Sequence, residues 1–204
     1  MPQGSNHWAG AAVEISALTK QFGSQTAIDD LSTSFHAGEL TGLVGPDGAG
    51  KTTLMRLMAG LMAPPSGQIR ILGLDSVEAA ESISEITGYM PQRFGLYEDL
   101  SIQENLELYA QLQNLAPGER KATFDRLLAF TRLYDFAGRL AGKLSGGMKQ
   151  KLGLVCAMIS SPKVLLLDEP GVGVDPVSRQ DLWRMVKALT DEGVAVIWAT
   201  AYLD

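Results

Sequence analysis

Gly45-Pro46-Asp47-Gly48-Ala49-Gly50-Lys51-Thr52 fits the pattern G-x-x-x-x-G-K-[ST] in full. The glycines of such a loop let backbone N–H groups wrap phosphates closely. Lys51 would contact the β- and γ-phosphates of a nucleotide, and Thr52 would ligate Mg²⁺. Thr53 follows in the same turn and completes the nucleotide-contacting set. The match lies between an apolar strand, Leu40–Val44, and a helix that starts at Thr52, which is the context the motif requires.

Two further constellations point the same way. Val164-Leu165-Leu166-Leu167-Asp168-Glu169 reads as a buried strand ending in two acids. An unpaired buried acid is costly, so the pair needs a cation or water. Asp168 suits Mg²⁺, and Glu169 suits a general base that polarises the attacking water. Either acid alone reads equally well as a helix N-cap at a strand end; beside the loop at 45–52 the chemical reading prevails. The second constellation is Leu144-Ser145-Gly146-Gly147-Met148-Lys149-Gln150. A Ser-Gly-Gly turn opening an apolar helix offers a hydroxyl, freely approached backbone N–H groups and a positive dipole end to an anion. Two phosphate-binding elements are redundant for one nucleotide in a monomer, so their coexistence predicts a dimer.

The elements that must position these groups follow from pattern. Strands are expected at Val13–Leu18, Asp30–Phe35, Leu40–Val44, Gln68–Leu72, Ile86–Met90, Val164–Leu167 and Val194–Ala199, with turns around Phe22-Gly23 and His36–Glu39. A helix from Thr52 to about Leu61 is stopped by Pro64-Pro65, and a second covers Val77–Ser84. From about Gln92 to Ser161 strand signals vanish. Ser101-Ile102-Gln103-Glu104 forms a capping box for a helix to about Asn114, and helices follow at Pro117–Phe130 and Ser145–Ser160. Asp175-Pro176 starts another helix with an N-cap and a proline at its first position. A helical block is thus inserted into an alternating α/β pattern, which implies a mostly parallel sheet with ligands at the carboxyl ends of its strands.

The 204 residues predict one domain with a sub-lobe. The net charge of −6 argues against broad nucleic-acid binding. The single cysteine, Cys156, lies in an apolar run and reads as a core residue. No apolar run approaches the roughly 18 residues of a membrane-spanning helix. Residues 1–12 read as a frayed tail and carry no signal-peptide pattern.

The order of loop, helical block, Ser-Gly-Gly signature and acidic strand resembles the ATP-binding cassette (ABC) ATPases over nearly the whole chain. The resemblance implies an α/β P-loop fold, with an antiparallel N-terminal β part and an α-helical subdomain at about 93–161. It implies ATP and Mg²⁺ as ligands. Gln92, in Tyr89-Met90-Pro91-Gln92, corresponds to the glutamine that senses Mg²⁺ and water and links the site to a membrane partner. Phe22 corresponds to the aromatic that stacks on adenine, against the plainer reading of a turn aromatic. Gly173-Val174-Asp175 looks like the loop that crosses the dimer interface. In the family two cassettes face head to tail, so Ser145, Gly146 and Gly147 would serve a nucleotide held by the other cassette. The segments Phe94–Ser101 and Glu104-Asn105-Leu106 resemble cassettes of multidrug-type exporters. Transmembrane permease subunits near Tyr97 and Glu98, and a cytoplasmic, peripheral location on the inner face of the membrane, follow from that resemblance.

The chain departs from the family in three places. Ala201, in Ala199-Thr200-Ala201-Tyr202, stands where the family carries a histidine, and its methyl cannot hydrogen-bond a γ-phosphate. Removing one preorganised donor commonly costs ~10²–10³-fold in turnover. Asp47 replaces the usual asparagine, and Gly171–Val174 replaces a Thr/Ser-containing run. The expectation is an ATPase subunit that powers a membrane exporter, with slow hydrolysis at its own site. A soluble cassette of translation-factor type and a non-catalytic nucleotide-binding module stay open as alternatives. The Gln92–Leu144 interval is too short for the coiled coil of chromosome-type relatives. Because the sequence ends directly after its last strand, the natural protein is expected to continue.

Overall fold

The computed structural model describes residues 10–92 and 95–201. Most of the expected N-terminal tail, Phe94 and Tyr202 lie outside the described residues. Two four-stranded sheets organise the chain. The antiparallel one has the order β2-β1-β4-β5 and is built from β1 (Val13–Phe22), β2 (Gln25–Phe35), β4 (Ser66–Ile71) and β5 (Leu74–Asp75). The other has the order β3-β8-β7-β6, from β3 (Leu40–Val44), β6 (Thr87–Met90), β7 (Val164–Asp168) and β8 (Ala195–Thr200), and every pairing in it is parallel.

Strand β7 shows why this sheet must be covered on both faces. All five of its residues are buried. Val164 and Leu166 enter one core, with α1 (Lys51–Met58) and the antiparallel sheet. Leu165 and Leu167 enter the other, with the helices of the insert. A continuous apolar run with period-two division between two cores is what a doubly covered parallel strand requires.

The insert consists of α3 (Ile102–Leu112), α4 (Pro117–Thr131) and α5 (Gly146–Ala157), with two short 3₁₀ turns between α4 and α5. The capping box of α3 forms: the Ser101 side chain accepts from the Glu104 N–H, and Glu104 Oε2 accepts from the Ser101 N–H at 2.7 Å. Helix α6 (Pro176–Asp191) is capped by Asp175, whose Oδ1 accepts the Ser178 N–H at 2.9 Å. Cys156 is buried on α5, and burial pushes its thiol far up.

Several boundaries differ from expectation. Strand β2 begins at Gln25, not Asp30, because β1 and β2 form a long hairpin in which Phe22 pairs with Gln25. Phe22 therefore ends a strand. Most of β2 is exposed, so no apolar alternation announces it. The second helix, α2 (Ala80–Ile86), starts three residues late. Asp75 Oδ1 accepts the N–H groups of Val77 and Glu78 and holds that stretch as a turn. Helices α1 and α5 end at Met58 and Ala157, short of Leu61 and Ser160. Ala12 is fully buried; its N–H donates to Phe35 O and its carbonyl accepts from Leu72 N–H.

Candidate functional site

The carboxyl ends of the four parallel strands deliver the candidate residues to one edge. Strand β3 runs into the loop at 45–50, β6 leads to Gln92, β7 ends on Asp168 with Glu169 directly after it, and β8 ends beside Ala201. Two backbone bonds tie these ends together: Gly45 N–H donates to Thr200 O at 3.3 Å, and Glu169 N–H donates to Ala199 O at 3.0 Å.

The loop's geometry depends on Gly50. Its φ of +88° starts α1 from the left-handed region, and a Cβ there would lie 2.2 Å from Ala27 O. No side chain fits both conditions. Helix α1 then begins at Lys51, with free first-turn N–H groups at the loop. Lys51 folds over the loop, its Nζ donating to Gly45 O at 2.6 Å and to Pro46 O at 3.1 Å. The same ammonium lies 3.3 Å from Glu169 Oε1. That contact is a charge contact without hydrogen-bond alignment, since Oε1 accepts no hydrogen bond. Glu169 Oε2 accepts the Ala201 N–H at 3.3 Å. Glu169 itself sits at φ +53°, a rare conformation for a residue with a side chain.

A cavity of about 430 Å³ opens over this loop. Its walls include Phe22, Asp47 to Thr53, Gln92 and Glu169. Its size and single-edge position suit a nucleotide-sized ligand. Gly45, Pro46 and Asp168 are not among its walls. Gly45 and Pro46 instead supply the carbonyls that hold Lys51. Asp168 is 1% exposed, and burial holds its carboxyl above the usual range despite hydrogen bonds from Thr52 and Tyr89. Its Oδ1 is buried without a hydrogen-bond partner. A raised, under-satisfied carboxylate next to a threonine hydroxyl fits a cation. No group of three or more His, Cys, Asp or Glu side chains that could hold a metal occurs among the described residues. The donor set fits Mg²⁺, which uses one or two protein oxygens and fills its shell from phosphate and water.

Ser145, Gly146 and Gly147 do not line that cavity. Ser145 caps α5, accepting the Met148 N–H at 3.3 Å, and is exposed with Gly146. Gly147 is buried, and it also has a packing role beside the expected approach to an anion. A Cβ there would stand 2.2 Å from Ser178 Oγ, so glycine is required for α5 to pack on the start of α6. Gln150, also buried, donates to Val172 O at 3.4 Å. The signature turn is thus seated on its own chain's 172–178 segment.

Three site residues escaped the sequence reading. Gln25 and Ala27 line the cavity, and Gln25 is found once Phe22 is known to pair with it. Tyr89 donates from its hydroxyl to Asp168 Oδ2 at 3.4 Å. Strand parity could have found it: Tyr89 pairs with Leu166, which shares a sheet face with Asp168.

Comparison with known proteins bears on the family and the fold. The sequence profile of a family described as ABC transporter matches residues 28–172. The chain is 56% identical over 196 residues to the probable multidrug ABC transporter ATP-binding protein YbhF of Escherichia coli (strain K12), covering 95% of this chain and 34% of that protein. It is 36% identical to the daunorubicin resistance ATP-binding protein DrrA3 of Streptomyces coeruleorubidus, covering 96% of this chain and 62% of that one. The chain therefore spans about a third of the first relative and under two thirds of the second. Among solved structures, an ATP-binding subunit of an ABC transporter superposes with a TM-score of 0.82 at 30% identity, over 94% of this chain and 80% of the other.

Proposed function

The chain belongs to the ABC transporter family, and on that premise we propose that it is the ATP-binding and hydrolysing unit of a membrane exporter. The observation that carries this reading is the shared cavity of Phe22, the 47–53 loop, Gln92 and Glu169. ATP enters with its adenine against Phe22 and its phosphates along the loop's N–H groups. Lys51 turns from the Gly45 and Pro46 carbonyls toward the β- and γ-phosphates. Thr52, Asp168 and Gln92 are the residues that would hold Mg²⁺, which when bound neutralises developing phosphate charge. Glu169 takes a proton from the attacking water, and Gln92 orients that water.

A second cassette, fused or separate, completes the arrangement head to tail. Ser145, Gly146 and Gly147 of each chain then meet the nucleotide of the other, which agrees with the absence of all three from the chain's own cavity walls and with the exposure of Ser145 and Gly146. Transmembrane permease subunits are the coupled partners, at the inner face of the membrane. The multidrug and daunorubicin-resistance names of the relatives favour export. No helix among the described residues is long and apolar enough to cross a membrane.

The residue at 201 favours a slow version of this chemistry. Ala201 offers Glu169 a backbone N–H but no side-chain donor. The non-catalytic alternative draws on the same observation. Measuring Mg²⁺-dependent ATP binding and phosphate release by the purified protein, with and without its membrane subunits, tests the reading. Failure to bind ATP with Mg²⁺ would overturn it; binding with no phosphate release in either setting would favour the non-catalytic module.

A further inference from the structure

The segment from Gly95 to Ser101 is fastened on two sides. On one side stands Asn105 of α3, fully buried. Its Nδ2 donates to the carbonyls of Tyr97, Leu100 and Ser101, and its Oδ1 accepts the Tyr97 N–H. On the other side the segment meets the chain just before the signature turn. Glu98 O accepts the Gly142 N–H at 2.9 Å, and Leu100 O accepts the Ala141 N–H at 2.8 Å. Glu98 then reaches further, placing Oε1 2.6 Å from Lys149 Nζ.

Lys149 lies at the start of α5, directly behind the Ser145 cap. A cation there opposes the helix dipole, and the first turn of α5 carries no acid of its own. Glu98 supplies the counter-charge from a different segment. The pair is partly exposed, at 23% for Lys149 and 66% for Glu98, so it adds little to stability. Its consequence is geometric. It joins the end of α5 that carries Ser145 to a segment whose Tyr97 is exposed and open to contact.

We propose that Glu98, through Lys149, is a positioning residue for the signature turn. Displacing the 95–101 segment then changes how Ser145 and Gly146 are presented to a nucleotide across the dimer. The inference rests on the reading above that this turn serves a facing cassette.

The test uses the full-length protein carrying Glu169→Gln, so that an ATP-bound dimer persists. The ATP concentration for half-maximal dimerisation is measured by light scattering with the pair intact, with Glu98→Gln, with Lys149→Gln, and with Glu98→Lys and Lys149→Glu combined. Each single change raises that concentration, by roughly two- to tenfold, and the reversed pair brings it back. The melting temperature and the affinity of the monomer for a fluorescent ATP analogue stay unchanged. Single changes with no effect, or a reversed pair that does not recover, would overturn the proposal. Opposite effects of the two single changes would also overturn it, because Lys149 would then act on phosphate directly. An intact pair that gives no ATP-dependent dimer would overturn the facing-cassette reading, and this proposal with it.

Discussion

Lys51 Nζ lies 3.3 Å from Glu169 Oε1, with the two side chains 10% and 5% exposed. The residue proposed to bind phosphate and the residue proposed to activate water are therefore in charge contact. Lys51 also serves two loop carbonyls, so a phosphate must draw it away from all three oxygens. When it does, the Glu169–Lys51 contact is broken while the Ala201 N–H stays on the other Glu169 oxygen. On the proposed reading, phosphate binding would thereby free Glu169 to act as the base.

Glu169→Gln removes the base and also the carboxylate that competes for Lys51. Turnover is expected to fall at least ~10²-fold, while ATP binds as tightly as before or more tightly. Single-turnover phosphate release and equilibrium ATP titration measure the two effects separately. Markedly weaker ATP binding by this variant would contradict the competition between Glu169 and phosphate.

Ala201→His restores a side-chain donor where β8 delivers the chain to Glu169. The expected gain in turnover is roughly 10²-fold, with ATP affinity changed by much less, because the loop and Lys51 contacts are untouched. Steady-state hydrolysis against ATP concentration gives both numbers. A wild-type protein that already turns over briskly, with no gain from the substitution, would remove Ala201 as the cause of a slow site.

Much of this was legible in the sequence because the informative residues are local. The 45–52 loop, the acidic end of β7 and the Ser101 and Asp175 caps each announce themselves within eight residues. The α/β fold with a helical insert follows from where strand signals stop and resume, whereas the separate antiparallel sheet was expected only from the family resemblance. What was not legible depends on pairing across the chain. Strand β2 is held by its hydrogen bonds to β1 and not by buried alternation. Tyr89 joins Asp168 only once β6 lies beside β7. The packing of Gly147 on Ser178 was hidden because the two residues are distant in sequence.

That last difference has a direct test. Gly147→Ala forces a Cβ into Ser178 and is expected to cost about 1–3 kcal/mol, as overpacking does. The loss appears as a lower melting temperature without nucleotide. Adding Ser178→Gly, which clears both Oγ and Cβ, recovers part of it. A Gly147→Ala protein with wild-type stability but lost dimerisation would show that packing on Ser178 does not require glycine and leave Gly147 with the anion-contacting role alone.

The capping box of α3 gives a prediction in pH. The N–H and O–H of Ser101 hold the Glu104 carboxyl below its ordinary value of 4.5. A depressed acid contributes stability that is complete above the ordinary value and is lost as pH falls through the depressed one. The wild-type melting temperature is therefore expected to fall more steeply below pH 4.5 than that of Glu104→Gln, which keeps a box-compatible side chain but does not titrate. Ser101→Ala should cost about 1 kcal/mol at neutral pH and flatten the acid limb as well, since it removes the hydroxyl on which part of the depression depends. Thermal melts of the three proteins from neutral to acid pH separate the contributions. Parallel wild-type and Glu104→Gln curves through the acid range would mean that the carboxylate's charge adds nothing to the cap.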